Sequence, residues 1–435
     1  MGTTLILACL AHAHAMTLEE AWSAVEARGQ ESTLVEEQRL QAGLIKTQAL
    51  AAISPKVSMA GNYTLNQREV ALDFGASFPP EVLALIEAAT GEPVDMGEPR
   101  VIQMKDYFDA NLTISQPVFS ARTLPGLQAA NALVRAGDAQ AKVSRGQLRL
   151  AVARAYWGVL VTREAAALSR EGVSLATKHA DQVKAMVTSG TATRQAELQA
   201  QMAVARAERE QAGAEARRVQ AETAFAMLVQ GEPGMTLDTP APREVPWATV
   251  DDALAAAREK RPELKAAREQ ALAAKATSTA AKLAWVPNVD GRFTQMWTEN
   301  TGFNGENWNW MAVASATWVP WDGGFRVAEQ ARAASQQRMA EAAYDKARED
   351  AEVEVRAAWE ELLRARRAKA ASERELALAE ENLRLAEASH AAGASTFLEL
   401  EDARQARDGA RLGAMSERMG VELAAMALVR GCGGV

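Results

Sequence analysis

The sequence predicts a mainly α-helical chain with a transmembrane β-barrel portion, built as a tandem repeat of long coiled-coil helices and four β-strands. Three observations predict it. Six of the ten tryptophans crowd into residues 285–325, between long Ala/Glu/Arg-rich stretches. Four segments of about ten residues alternate apolar with small or polar side chains. The order of segments before residue 231 then returns after residue 249.

The strands come first because they set the environment. From Asn307, residues Trp308, Trp310, Ala312, Ala314, Ala316 and Trp318 fall on one face, and Asn309, Met311, Val313, Ser315 and Thr317 on the other. At about 3.3 Å per residue Trp308 and Trp318 are roughly 33 Å apart. Tilted near 40°, that is about 25 Å of height, the apolar band of an outer-membrane barrel with aromatic residues at both rims. Trp308, Trp310 and Trp318 are therefore the expected aromatic girdle. The same alternation runs through Val57–Asn66, Phe108–Ser115 and Val289–Trp297. Phe108, Leu112 and Phe293 are expected to face lipid with those tryptophans, and Asn62, Asn111, Arg292 and Thr317 to face a lumen.

Composition narrows the function. An Ala/Glu/Arg/Leu-rich chain of 435 residues favours long helices. A net charge of −8 argues against a nucleic-acid partner, because phosphate contact needs a basic face. Only two cysteines occur, Cys9 and Cys432, too few for a thiolate metal cluster. No nucleophile elbow, P-loop, H-E-x-x-H or dinucleotide fingerprint is present. No enzyme activity, cofactor or metal site is expected. His179 and His390 sit alone on helical sequence and are expected to be solvated.

Residues 3–10 are apolar and Ala13-His14-Ala15 fits a cleavage site, so residues 1–15 are expected to be a signal peptide, not lipidated at Cys9. The first repeat spans 16–230. Thr17, with Glu20 three residues on, caps a helix expected to run unbroken to about Ile53. A β-hairpin follows over 56–116, its acidic loop carrying a short helix near 81–89. Its second strand is expected to end at Gln116-Pro117. A helix from about 125 to 187 breaks at Ser189-Gly190, and another continues to Val229. Residues 231–248 are a Pro/Gly-rich linker. The second repeat, 249–435, restates the plan: Thr249-Val250-Asp251-Asp252-Ala253 answers Thr17-Leu18-Glu19-Glu20-Ala21, the hairpin spans 288–319, and the helix breaks at 392–393. Small and apolar residues stepping by four and three along residues 351–386 give the long helices a coiled-coil period.

One acidic cluster follows the second break: Glu399, Glu401 and Asp402. Glu399 and Asp402, three apart, share a helix face.

The duplication, P-N-V at 287–289, S-P-K-V at 54–57, Q-P-V-F at 116–119 and V-P-W-D-G-G at 319–324 together resemble the TolC-like outer-membrane efflux protein family, over Thr17 to about Val429. That resemblance implies a homotrimer whose protomers close a twelve-stranded barrel in outer-membrane lipid. Their helices would continue it as a periplasmic tunnel. It implies export together with a periplasmic adaptor protein and an inner-membrane pump. Glu399 and Asp402 stand where the family constricts its tunnel. Ser189, Gly190 and Thr191, with Ala392, Gly393 and Ala394, would be the tips that meet the adaptor. The strand exit at Pro320-Trp321-Asp322 is one residue shorter than the family's usual form. In the first repeat the acid, Glu197, falls one position off and is not assigned to the constriction. The alternative is a periplasmic adaptor-like or structural coiled-coil protein without a channel, against which the four alternating strands argue.

Overall fold

The computed structural model describes residues 15–73, 78–93, 99–302 and 305–434. The expected signal peptide, with Cys9, therefore lies outside the described residues apart from Ala15. The chain divides into two units.

One unit comprises residues 44–133 and 272–339 and holds the strands. Strands β1 (Lys56–Leu65), β4 (Asp106–Phe119), β5 (Asn288–Thr298) and β6 (Trp308–Thr317) form one antiparallel sheet in the order β1-β4-β5-β6. The β4–β5 pairing joins the hairpins of the two repeats. The register keeps the alternating faces in phase across all four strands. Phe108 pairs with Tyr63, Ile114 with Phe293, and Trp297 with Trp308 on one face. Asn111 pairs with Ala60, Ser115 with Arg292, and Arg292 with Val313 on the other. Polar contacts tie the second face: Asn62 Nδ2 donates to Asp109 Oδ2 at 2.9 Å, and the Thr113 and Thr294 hydroxyls are 3.3 Å apart.

Strand β4 runs on to Phe119, beyond the end expected at Gln116-Pro117. A register shift between Pro117 and Phe119 lets the ladder pass a residue that has no N–H to donate. In the intervening loop, the expected short helix is α3 (Pro80–Thr90), closed by Gly91 at φ 73°. A small hairpin of β2 (Val70–Leu72) and β3 (Arg100–Gln103) joins it, which the polar sequence did not announce.

The other unit comprises residues 15–43, 134–271 and 340–434 of the described chain. The first helix is two helices, α1 (Leu18–Arg28) and α2 (Gln30–Ala51), and not the single run expected. Gly29 breaks it with extended backbone (φ −64°, ψ 136°). A Cβ there would lie 2.5 Å from the Val25 carbonyl oxygen, so glycine fits this particular cap. The second repeat bends alike at Arg261, between α6 (Val250–Lys260) and α7 (Pro262–Lys282). Pro262 starts α7 where its missing N–H costs nothing. The long helices are α4 (Thr123–Thr188) and α8 (Phe325–Ala391), with α5 (Arg194–Val229) and α9 (Phe397–Gly431) as their return partners.

Each repeat has its own core. In the first, α1, α4 and α5 bury Val25, Val152, Tyr156, Trp157 and Phe225. In the second, α6, α8 and α9 bury Leu254, Val355, Leu362, Leu428 and Cys432. Alanine supplies much of the rest, which lets these backbones approach closely.

The linker has no regular structure but is anchored. Met16 bridges to Leu237 in parallel, and the Tyr156 hydroxyl lies 2.6 Å from the Met16 carbonyl oxygen and 2.7 Å from that of Asp238. Burial pushes the Tyr156 hydroxyl pKa up to about 12. Arg163 donates to the Met235 carbonyl and to the buried Glu222, each at 2.6 Å. Glu422 of α9 accepts from the Arg243 backbone N–H at 2.8 Å.

Candidate functional site at the helix turns

The two helix breaks are the same structure made twice. Gly190 (φ 79°) and Gly393 (φ 73°) occupy the left-handed region that favours glycine. The Thr191 N–H bonds the Met186 carbonyl at 2.8 Å, and the Ala394 N–H bonds that of Ser389 at 2.9 Å. With Gly190 bonded to Val187 and Gly393 to His390, each turn is a Schellman motif that satisfies the last carbonyls of its helix. Three residues beyond each glycine a threonine starts the return helix. Thr193 Oγ1 accepts from the Ala196 N–H at 3.2 Å, and Thr396 Oγ1 from the Glu399 N–H at 3.3 Å. Thus Ser189, Gly190, Thr191, Ala392, Gly393 and Ala394 all lie in tight turns, and all are solvent-exposed.

Glu399 and Asp402 both lie exposed on the first turns of α9. Glu399 also holds the turn together, since its Oε2 accepts from the Thr396 N–H at 2.8 Å and completes a capping box. Glu401 is turned away and half-buried, its Oε1 3.3 Å from Gln405 Nε2. The first repeat shows why its acid differs. Counted from the glycine, Glu197 matches Leu400; Glu197 is 7% exposed and Leu400 8%. The one-residue offset thus rotates Glu197 off the exposed face, where Arg194 and Gln201 bond it.

Behind Asp402 lies a charged seam between α9 and α4 that the sequence alone did not single out. Arg404, 6% exposed, reaches Asp408 at 3.8 Å, and its two terminal nitrogens are buried without a hydrogen-bond partner in the chain. Arg407 pairs with Asp408 at 3.0 Å and Glu171 at 3.7 Å; Arg411 pairs with Glu164. Burial raises the Asp408 carboxyl pKa, with Arg407 and Arg404 opposing it. Arginines at 404, 407 and 411 with an acid at 408 follow helical spacing, which was the available signal.

The histidines are not the isolated, solvated residues expected. His179 of α4 stacks on Phe397 at the start of α9, and His390 of α8 meets the same ring edge-on at 6.3 Å. His390 Nδ1 is 3.1 Å from the Ser395 carbonyl oxygen. Sequence placed the three residues far apart on helical stretches; packing brings them to one ring.

A sheet with one apolar and one polar face, joined to paired helices that turn on matched glycine caps, defines the protomer of an outer-membrane channel. The chain belongs to the outer membrane efflux protein family, whose model matches residues 47–229 and 253–433. The fold is similar to that of the outer membrane protein VceC from Vibrio cholerae, at TM-score 0.71 and 17% identity over 96% of both chains. It is likewise similar to the Campylobacter jejuni CmeC outer membrane channel, at TM-score 0.77 and 12% identity over 96% of this chain and 85% of that one. The open Neisseria gonorrhoeae MtrE outer membrane channel matches at TM-score 0.71 and 18% identity, covering 96% and 89%. Among curated proteins none matches. The family is one of outer-membrane transport proteins, and that is this chain's class and location.

Proposed function

We propose that three copies of this chain close a twelve-stranded barrel and act as the outer-membrane duct of a periplasm-spanning export system. One observation carries the reading. The four-stranded sheet is a single layer, and β1 and β6 are exposed along nearly their whole length. Val57, Met59, Tyr63, Trp308 and Trp310 are each more than 60% exposed. An open sheet with an apolar face and two bare edges is unstable in water and forbidden in lipid, where every backbone group needs a partner. Closure removes both problems. The antiparallel order lets β6 of one copy pair with β1 of the next in the same alternating sense, and β1 and β6 are both ten residues long.

In that assembly Trp308, Trp310 and Trp318 would meet the lipid interfaces. The turns at Ser189-Gly190-Thr191 and Ala392-Gly393-Ala394 would meet a periplasmic adaptor, itself coupled to an inner-membrane pump. Three copies of Glu399 and Asp402 would ring the periplasmic mouth with negative charge, which favours cations and holds multivalent ones. Opening would require the tips to splay. The chain carries no catalytic or cofactor role in this reading.

The test is conductance in planar bilayers. The wild type is expected to form a low-conductance, cation-selective channel blocked by multivalent cations from the periplasmic side alone. Glu399→Gln with Asp402→Asn keeps a side chain that still completes the Thr396 capping box. This double variant should weaken selectivity and block without changing trimer yield. Unchanged block would place the constriction elsewhere and return these two acids to an ordinary solvated helix face.

A further inference from the structure

A cleft of about 730 Å³ lies between α4 and α7, closed at one end by the C-terminal turn at Gly433. Six cations line it: Arg135, Lys142 and Arg145 from α4, and Lys260, Lys265 and Arg268 from α6 and α7. Two carboxylates line it, Asp138 and Glu269. Six against two leaves four positive charges in one concave surface, in a chain whose net charge is −8.

The acids present are already engaged. Glu269 pairs with Arg135 at 2.8 Å, Asp138 with Arg39 at 3.6 Å, and Arg145 with Glu36 at 2.9 Å. Among the described residues, no side-chain hydrogen bond or ion pair occupies Lys142, Lys260, Lys265 or Arg268. Four like charges gathered without counter-charges repel one another, and concave low-dielectric walls focus the resulting field. Pro262, the first residue of α7, also lines the cleft. The positive end of that helix dipole adds to the same potential. The end wall is built to fit: Gly433 holds φ 83°, and a Cβ there would sit 2.5 Å from the Lys260 carbonyl carbon.

We propose that this cleft binds an anion bearing two or more phosphate groups. The cations set the ligand's size. Arg135 and Lys142 are seven residues apart on α4, or about 10 Å at 1.5 Å per residue. A single phosphate cannot reach across that span, whereas two linked phosphates can engage cations on both helices. Arginine supplies paired donors matched to phosphate oxygens, and lysine supplies a point charge beside them. The same chemistry is offered by a diphosphorylated glycolipid headgroup and by free pyrophosphate. The site owes nothing to the pore reading, since it lies on neither the strands nor the helix turns.

Native mass spectrometry of the purified full chain in detergent tests this. Inorganic pyrophosphate and a diphosphorylated glycolipid are titrated separately, with citrate as the non-phosphate anion. Expected is a saturable adduct with at least one phosphate ligand, weakened about tenfold or more in Lys142→Glu with Arg268→Glu, because both changes reverse an unpaired charge. Binding of both phosphates marks a free-phosphate site, and binding of the glycolipid alone marks a lipid site. Both side chains are exposed, so the variant should keep the wild-type unfolding temperature. Should that variant unfold, Lys265→Ala alone is titrated and should still weaken the adduct. The proposal is overturned by no adduct with either phosphate ligand, by adducts that ignore the charge changes, or by citrate binding as tightly as pyrophosphate.

Discussion

His179 and Phe397 lie face to face, their ring centroids 3.2 Å apart and their planes 2° from parallel. The contact locks the first turn of α9 to α4 just behind the exposed Glu399. Burial lowers the His179 pKa, and the nearby His390 lowers it further. The folded state therefore disfavours the charged imidazole. The sign follows: between the lowered folded value and the unfolded value of about 6.5, the unfolded chain binds more protons. Stability from this contact is present above about pH 6.5 and is lost as pH falls toward the folded value. Protection of the 394–400 amides, corrected for the intrinsic exchange rate at each pH, should fall between pH 7.5 and pH 5, and His179→Leu should flatten that dependence. An unchanged slope in the variant would assign the effect to other groups.

The glycine caps give a second expectation. A Cβ at Gly190 or Gly393 would meet nothing within 4 Å, so alanine there pays only the left-handed backbone penalty. Gly190→Ala and Gly393→Ala should each cost about 1 kcal/mol. Denaturant unfolding measures it. A much larger loss would mean that the turns are packed against something in the assembled protein.

Strand faces are separable by charge. Leu112→Arg puts a cation on the face shared with Phe108, Ile114 and Phe293, and Asn111→Arg on the face shared with Arg292 and Ser115. At a lipid-facing midplane the first should cost about 2–4 kcal/mol, the second far less. Heat-modifiable migration of the assembled barrel reads the difference. Equal effects would show that the faces do not part lipid from lumen.

Tyr156→Phe removes the hydroxyl that holds Met16 and Asp238 together. It removes one O–H donor shared between two carbonyls, of which that of Met16 keeps the Asp238 N–H at 3.1 Å, a loss of about 0.5–1.5 kcal/mol. Proteolysis within residues 231–248 should accelerate, and Trp157 at the neighbouring position should stay buried by fluorescence. Because the Tyr156 pKa is raised to about 12, wild-type stability from this contact is present below the unfolded value of about 10 and is lost as pH rises through about 12. The variant should lack that alkaline loss.

The sequence by itself determined the repeat, the strands and the helix breaks, because each is written in local periodicity. Alternation from Trp308 to Trp318 fixes a strand with unlike faces whatever surrounds it. Gly190 and Gly393 announce a left-handed turn because few other residues tolerate one. Thr17, with Glu20 three residues on, announces a cap. Local signals also failed where two were in competition. Gly29 lies in good helical sequence and breaks it, because the chain bends there, while Pro117 reads as a stop and is carried through by a register shift. What only the tertiary structure decided are the meetings of distant residues. The pairing of β4 with β5 joins the two repeats' hairpins, and Phe397 lies between His179 and His390. Lys142 reaches the same cleft as Arg268, and Arg407 of α9 pairs with Glu171 of α4. None of these follows from spacing along one segment. Each depends on which helix faces pack together, and that is set by burial summed over the whole fold.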